Sequence, residues 1–290
     1  MIPIKDRILI NDAEFGHPMK SYENAEFLNG KDGRTLRILS EYLFPDQYLK
    51  KNHIYNTIVV FGSARSLSTV DYKIKMTDLT DKLQRGIDVE KINNEIEKHK
   101  RLEFTSKYYD ETVRLVEMLT SWVKKLPTQK KFYICTGGGP GMMEAANRGA
   151  HNTDSPNIGY NIQLPFEQHP NKYITPELNF EFHYFFMRKF WFMYHAKAMI
   201  AMPGGFGTLD ELFEMLTLQQ TKVISKRIPI ILYGEKFWKS LINLEYLAEI
   251  GMINHEDLDL FQYCDSPEEA FDFIKKELST YLNIDTEIND

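Results

Sequence analysis

The stretch Pro203-Gly204-Gly205-Phe206-Gly207-Thr208-Leu209-Asp210-Glu211 constrains this chain more than any other. The apolar run 198–202 before it has the length of a strand, and the residues after it carry apolar side chains at helical spacing. A strand, a glycine turn and a helix in this order aim free backbone N–H groups and the positive end of a helix dipole at one place. The stretch therefore predicts an anion site, most often one for phosphate.

The residues of this stretch have two possible uses. Gly204, Gly205 and Gly207 allow positive φ and let a ligand come close to the backbone. Thr208 is expected at the N-cap position, with Glu211 in the first helical turn beside the anion. The same pair also fits a capping box, in which both side chains satisfy N–H groups at the start of the helix. Both interpretations of Glu211 stay open at the level of local sequence.

Composition narrows the class of protein. Of the 290 residues, 43% are hydrophobic and 26% are charged, as in a globular chain with ample core. With a net charge of −6, the chain lacks the excess of positive charge that binding to nucleic acid or an anionic membrane requires, so we expect neither as a partner. Two cysteines form no disulfide framework. No long apolar run and no signal-peptide pattern is present, which favours a cytoplasmic protein.

Apolar strands alternate with helices along most of the chain, which predicts one α/β domain with a parallel sheet covered on both faces. We expect an N-terminal helical arm over residues 1–53, whose helix at 35–44 ends at Pro45. A single domain then covers 54–280, and 281–290 form a frayed tail. Residues 71–104 are dense in Lys, Asp and Glu and predict a helical insertion exposed to solvent. We expect strands at 57–61, 131–135, 157–164, 198–202, 228–234 and 258–263, and a polar loop over 166–179.

Two further loops follow predicted strands. Ser63 and Arg65 come after the first strand, and Gly138 and Gly139 after the second. Ligands of open α/β sheets gather at the carboxyl ends of strands, so both loops are candidate ligand contacts. An ordinary turn with a surface arginine is the alternative for the first loop. Close packing of helix on strand is the alternative for the second, whose helix is expected to start near Pro140.

The segment 184–198 is apolar almost all round a helix, which predicts a buried helix. It nevertheless carries Arg188 and Lys189 near its start. An unpaired buried guanidinium is costly, so Arg188 needs an anionic partner. That partner is either a structural carboxylate or a ligand, with Glu211 as a plausible neighbour. His183 and His195 show no metal-ligand spacing, and we expect no metal site.

Four blocks of this sequence, in this order, resemble the LOG ("Lonely Guy") family. They are Gly62–Arg65, Thr136–Ala150, Met187–Lys189 and Pro203–Glu211, the last resembling the family's PGGxGTxxE signature. The resemblance covers about residues 54–275. Older labels called such proteins lysine decarboxylases, but nothing here resembles a pyridoxal-phosphate lysine site.

The resemblance implies a Rossmann-like catalytic domain and a homodimer or larger homo-oligomer. It also implies phosphoribohydrolase activity, which splits a purine nucleoside 5′-monophosphate, AMP or a cytokinin nucleotide, into free base and ribose 5-phosphate. Arg188 and Glu211 would be the catalytic pair, and the loop Gly204–Thr208 would hold the phosphate, without cofactor or metal. Alternatives are a non-catalytic nucleotide or molybdenum-cofactor carrier, and an assembly module with a vestigial site. We assign Ser63, Arg65, Gly138, Gly139 and Lys189 as further substrate contacts.

Overall fold

A computed structural model describes residues 18–127, 130–164, 169–224 and 227–282. The chain divides into two compact units, Met1–Phe44 and Pro45–Asp290. The first 17 residues of the expected arm and most of the expected C-terminal tail lie outside the described residues. So do residues 166–168 of the expected polar loop.

The described part of the first unit is helical, as the prediction of an N-terminal arm requires. It contains α1 (Ala25–Asn29), which begins where the side chain of Asn24 accepts a hydrogen bond from the N–H of Phe27. α2 begins at Arg34 and ends at Lys51. Within the first unit, the guanidinium of Arg37 donates to the carbonyl groups of Leu28 and Gly30.

The predicted end of α2 at Pro45 is wrong. A proline within a helix removes one hydrogen bond but does not always end it. Here α2 passes through Pro45 to Lys51. Leu49 is fully buried, and Lys50 forms an ion pair of 2.8 Å with Asp46 one turn earlier. These contacts lie beyond the proline and were not visible in the local pattern.

Among the described residues, the second unit contains the strands β1 (Thr57–Phe61), β2 (Tyr133–Thr136), β3 (Asn157–Ile162), β4 (Asn179–Phe182), β5 (Ala196–Ala201), β6 (Ile230–Tyr233) and β7 (Phe261–Cys264). These seven strands are all parallel and lie in the order β4-β3-β2-β1-β5-β6-β7. This confirms the predicted α/β fold, a Rossmann-like doubly wound sheet.

Helices cover both faces of this sheet. Among the described residues, the α-helices after α2 are α3 (Thr69–Gln84), α4 (Val89–Leu102), α5 (Phe104–Lys124), α6 (Met142–Asn152), α7 (Phe185–His195), α8 (Phe206–Gln220), α9 (Glu235–Leu241), α10 (Leu244–Glu249) and α11 (Pro267–Tyr281). On one face of the sheet, side chains of α5, α6 and α11 pack with Ile58 and Val60 of β1 in a single core cluster. On the other face, Phe61 of β1 contacts Phe192 of α7, with ring centroids 4.9 Å apart.

The insertion at 71–104 is helical, as predicted, and consists of α3 and α4. Ile92 and Ile96 of α4 pack against Leu79 of α3 and form a small core of their own. The insertion is not only a solvated surface, however, because Leu102 at its end lines a cavity described below.

Strand β4 was not predicted. It has four residues and follows a loop, so it offers too short a pattern to separate from irregular chain. Its alternation becomes clear only in the sheet, where Phe180 and Phe182 are buried while Asn179 and Glu181 are exposed.

Within the described residues, no helix is long and apolar enough to cross a membrane.

Candidate functional site

The site lies where the strand order reverses, between β1 and β5. The chain places β2, β3 and β4 on one side of β1 and then returns to place β5 on its other side. Ligands of open α/β sheets bind outside the carboxyl ends of the strands at such a switch point. The loops after β1 and β5 meet here, since the N–H of Ser63 donates to the carbonyl of Pro203 over 3.0 Å.

A cavity of about 680 Å³ opens at this switch point, and we call it the main cavity. Both loops line it, as do side chains of α7 and α8. Most of the residues predicted from the sequence therefore come together in one place. Those that line the main cavity are Ser63, Arg65, Arg188, Gly204, Gly205, Gly207, Thr208 and Glu211.

The start of α8 differs from the prediction in one respect. Gly205, not Thr208, is the N-cap residue, and no side chain in the described part of the chain caps this helix. Thr208 is the third helical residue and Glu211 the sixth, so Glu211 lies in the second turn. The capping-box interpretation is therefore wrong. Glu211 is buried for another reason than helix capping.

The glycines of this turn allow atoms to come close to the backbone, and they are not needed for a positive φ. None of Gly204, Gly205 and Gly207 has a positive φ. A Cβ on Gly204 would overlap the side chain of Thr208, whereas a Cβ on Gly205 or Gly207 would meet open space. The last two glycines thus leave room at the cavity for a ligand. Among the described residues, the N–H groups of Phe206 and Gly207, the first two of α8, have no hydrogen-bond partner, as is usual at a helix start.

Glu211 is a buried carboxylate with an unused oxygen. Glu211 is only 3% exposed. Within the described part of the chain, its Oε2 has no hydrogen-bond partner. Desolvation by burial raises the pKa of Glu211 to about 7, although the charges of Arg188 and Lys189 act in the opposite direction. A carboxyl group with a pKa near neutrality in a cavity is a candidate for chemistry.

Arg188 is the matching cation of the main cavity. Its guanidinium lies over the rings of Phe185 and Phe192, with Cζ 5.3 and 5.6 Å from the ring centroids. Among the described residues it forms no ion pair within 4.0 Å, and its buried Nε has no hydrogen-bond partner. Desolvation lowers the pKa of Arg188, against the Coulomb effect of Glu211 and Asp210. Within the described ranges, no structural carboxylate lies at ion-pair distance from Arg188, although the sequence left such a partner open.

Lys189, predicted as a ligand contact, lies outside the main cavity. Its Nζ forms ion pairs with Asp210 at 2.9 Å and Glu214 at 3.1 Å, both on α8. The side chain therefore links α7 to α8, the two helices that carry Arg188 and Glu211. Adjacent residues on a helix point about 100° apart, and this separates the two cations.

Gly138 and Gly139 do not line the main cavity either. Gly138 has a φ of +72°, and a Cβ there would overlap the side chain of Asn161. The side chain of Asn171 donates to the carbonyl groups of both glycines, at 3.1 and 3.0 Å. The packing interpretation of this loop thus describes both residues. Instead, Gly137, the first residue after β2, lines the main cavity.

An apolar wall of the main cavity was missed by the sequence reasoning. Phe104 of α5 and Phe237 of α9 stack with centroids 6.4 Å apart, and Leu102 and Leu241 flank them. These residues come from segments more than 130 positions apart in the sequence and follow no glycine loop. No local signal in the sequence distinguishes them from ordinary core residues.

The pKa of Glu211 predicts an unusual pH dependence of stability. Because the pKa is about 7 in the folded chain against an ordinary 4.5, the folded state binds the proton more tightly. The contribution of Glu211 to stability is therefore largest at low pH and falls as pH rises from about 4.5 to about 7. We expect Glu211→Gln to raise the free energy of unfolding at pH 8 by about 1–3 kcal/mol.

Urea unfolding of both proteins at pH 5, 6 and 8 measures this effect, with Glu249→Gln as the control at an exposed acidic residue. The gain from Glu211→Gln should grow with pH and stay small for the control. A loss of stability at pH 8 would show that the ionised carboxylate is well solvated in the folded protein.

Residues 143–274 match the protein family described as "Possible lysine decarboxylase". The chain is similar to cytokinin riboside 5′-monophosphate phosphoribohydrolase LOG1 of Arabidopsis thaliana, with 38% identity over 61 residues. That match spans 21% of this chain and only 28% of the length of LOG1.

Solved structures with a similar arrangement include the protein TM1055 and the molybdenum cofactor carrier protein of Chlamydomonas reinhardtii. TM1055 is 16% identical, with a TM-score of 0.46 over 76% of this chain and 99% of that chain. The carrier protein is 14% identical, with a TM-score of 0.43 over 77% of this chain and 98% of that chain.

The family match at 143–274 includes two of the four sequence blocks that resemble the LOG family, Met187–Lys189 and Pro203–Glu211, and part of a third. Both matches support the resemblance of this chain to the LOG family.

Proposed function

We propose that this protein hydrolyses the N-glycosidic bond of purine nucleoside 5′-monophosphates, either AMP or cytokinin nucleotides. The products are the free base and ribose 5-phosphate. The observation that carries the proposal is the pair Glu211 and Arg188, one buried and one half-buried, which face one cavity without a structural partner at ion-pair distance among the described residues. Burying a charged group without a partner costs folding free energy, and such groups are often found where a ligand binds.

The start of α8 would hold the 5′-phosphate. The free N–H groups of Phe206 and Gly207 and the positive end of the helix favour an anion there. Thr208 and Arg65 line the same cavity. Binding of the phosphate positions the ribose and supplies binding energy remote from the bond that breaks.

Glu211 would act on the ribose. Cleavage of the N-glycosidic bond develops positive charge at C1′ and the ring oxygen, as in other glycoside hydrolyses. An ionised carboxylate in a poorly solvated cavity stabilises that charge. The oxygen of a water molecule then bonds to C1′ while the bond to the base nitrogen breaks, and one proton of the water ends on the base. Glu211 can orient this water or accept its proton.

Arg188 would act on the leaving base or the phosphate. The departing base takes the electron pair of the broken bond, and a nearby guanidinium stabilises the resulting negative charge. The apolar wall of Leu102, Phe104, Phe237 and Leu241 would contact the purine. In this proposal the reaction proceeds without a metal ion.

Incubation of the purified protein with AMP, IMP, GMP and CMP, followed by detection of free base, tests the proposal. We expect base release from purine nucleotides and much less from CMP. Tight nucleotide binding with no base release would favour the carrier function instead. Absence of both binding and release would favour an assembly module.

Lys189 is expected to position the site without touching the substrate. Lys189→Met removes the ion pairs to Asp210 and Glu214 and with them the link between α7 and α8. We expect kcat to fall about tenfold, which corresponds to roughly 1.4 kcal/mol. Because the charge of Lys189 lowers the pKa of Glu211, the ascending limb of the pH–activity profile should also move to higher pH.

The control for this variant is Lys82→Met, which removes an exposed ion pair to Asp78 on the insertion. It should leave both kcat and the pH profile unchanged. If Lys189→Met raises KM for the nucleotide with kcat and pH profile unchanged, Lys189 contacts the substrate and the positioning role is wrong.

We also propose that the protein forms a homodimer or a larger homo-oligomer. Phe186 and Tyr194 of α7 are each about half exposed and line a second cavity of about 570 Å³ that is largely apolar. Exposed apolar surface of this kind is typical of a protein contact. We expect light scattering after gel filtration to give a mass above 34.1 kDa, and Phe186→Glu to reduce it. A monomer for the unmodified protein would contradict this.

A further inference from the structure

A smaller depression lies beside the main cavity, distinct from the apolar cavity at α7, and we call it the outer site. It has a volume of about 450 Å³ and is lined by Arg65, Asn94, Glu97, Lys98, Arg101 and Leu102. Arg65 and Leu102 line the main cavity as well. The two spaces therefore adjoin at Arg65 and Leu102.

The outer site carries an excess of positive charge in a chain whose net charge is −6. Among the described residues, Arg65, Lys98 and Arg101 form no ion pair. The acidic residue that lines the outer site, Glu97, is paired with Lys100 at 2.9 Å. Three cations thus face one depression without a carboxylate of their own.

A solvated charged helix is the ordinary explanation for such residues. In that case the lysines of the insertion would be expected to pair along the helix, since pairs at i,i+3 and i,i+4 form readily. Lys82 pairs with Asp78 and Lys100 pairs with Glu97 in this way. Lys91 of the same helix is also unpaired within the described residues, so what distinguishes the cations at the outer site is that they lie together beside the main cavity.

We propose that the outer site binds a second phosphoryl group of a nucleotide whose first phosphate lies at the start of α8. The ligand class is a nucleotide with two linked phosphoryl groups. Two arginines and one lysine suit this group. Each guanidinium can donate two hydrogen bonds to phosphate oxygens, and the lysine adds a positive charge on a flexible side chain. The inference rests on the proposed function for the position of the first phosphate.

Such a ligand would bind at the main cavity and the outer site at once. A nucleoside diphosphate would therefore bind more tightly than the corresponding monophosphate and compete with it. The insertion α3–α4, which supplies Lys98 and Arg101, would give the site its preference for a second phosphoryl group. Because the three cations are exposed, the preference should weaken as salt is added.

Isothermal titration of the full chain with AMP and with ADP tests the inference. The Glu211→Gln background keeps the ligands intact during the titration. We expect ADP to bind about tenfold more tightly than AMP at low salt, as for one or two additional charge-assisted hydrogen bonds. Lys98→Ala and Arg101→Ala should each weaken ADP binding about fivefold and leave AMP binding unchanged.

Lys91→Ala is the matched control, because Lys91 is exposed on the same helix and does not line the outer site. It should change neither affinity. Equal affinity for AMP and ADP, or equal effects of Arg101→Ala and Lys91→Ala, would overturn the inference.

The titration separates this inference from the proposed function. If the unmodified protein releases base from AMP and ADP binds no more tightly than AMP, the outer site is wrong and the function stands. If ADP binds through Lys98 and Arg101 but no nucleotide is hydrolysed, the outer site stands and the hydrolase is wrong.

Discussion

Glu211→Gln is expected to lower kcat for base release about a thousandfold while the Kd for AMP changes little. The substitution keeps the shape of the side chain and removes the charge that would stabilise the ribosyl cation. Glu211 is 3% exposed and its Oε2 has no partner among the described residues, so no structural bond is lost. Base release under single-turnover conditions and isothermal titration with AMP measure the two effects.

The pH dependence of this reaction identifies the same group. If ionised Glu211 is required, kcat/KM should rise with pH through about 7, because burial raises the pKa of Glu211 to that value. Glu211→Gln should remove this ascending limb. Glu249→Gln, at an exposed position, should keep it together with full activity. Normal turnover by Glu211→Gln would contradict the catalytic assignment.

The loss of activity should coincide with a gain of stability. A buried carboxylate that is unpaired costs free energy in the resting protein, and the amide of Gln costs less. A residue whose replacement makes the chain more stable and less active is one retained for function. The two measurements together separate a catalytic Glu211 from a merely structural one.

Arg188→Met is expected to lower kcat/KM about a hundredfold to a thousandfold. Methionine keeps an apolar stem between the rings of Phe185 and Phe192 but removes the guanidinium. Arg188→Lys keeps a charge without the planar group and should give an intermediate loss. Steady-state kinetics with AMP over a range of pH measures all three proteins.

The same series tests whether Arg188 and Glu211 share one site. The charge of Arg188 lowers the pKa of Glu211, so the ascending limb of Arg188→Met should move to higher pH. The double variant Arg188→Met/Glu211→Gln should lose less activity than the product of the two single losses. Strictly multiplicative losses would place the two residues in independent roles.

The sequence predicted the framework of this site because the relevant signals are local. An apolar strand followed by glycine and a helix is a pattern of about a dozen residues. This pattern occurs at β1, β2 and β5. Parallel strands bring their carboxyl ends to one edge of a sheet. The meeting of Ser63 with Pro203, and of Arg188 with Glu211 in one cavity, follows from that rule.

Other assignments failed because they depended on rotation about a helix or on pairing between helices. A helix that begins at Phe206 instead of after Thr208 turns Glu211 away from the capping position and into the cavity. Lys189 follows Arg188 directly in the chain, but its ion pairs to Asp210 and Glu214 hold it outside the main cavity. Neither could be read from residue type or spacing alone.

The sequence by itself determined the parallel sheet, the glycine turn before α8 and the presence of one arginine and one glutamate near it, because periodicity and turn chemistry act over a few residues. Only the tertiary structure decided which groups stay unpaired. Burial leaves Glu211 without a bond to Oε2 and raises its pKa, while Phe104, Phe237 and the cations of α4 reach the site from distant segments. The cost of burying a charge depends on everything packed around it, and that environment exists only in the folded chain.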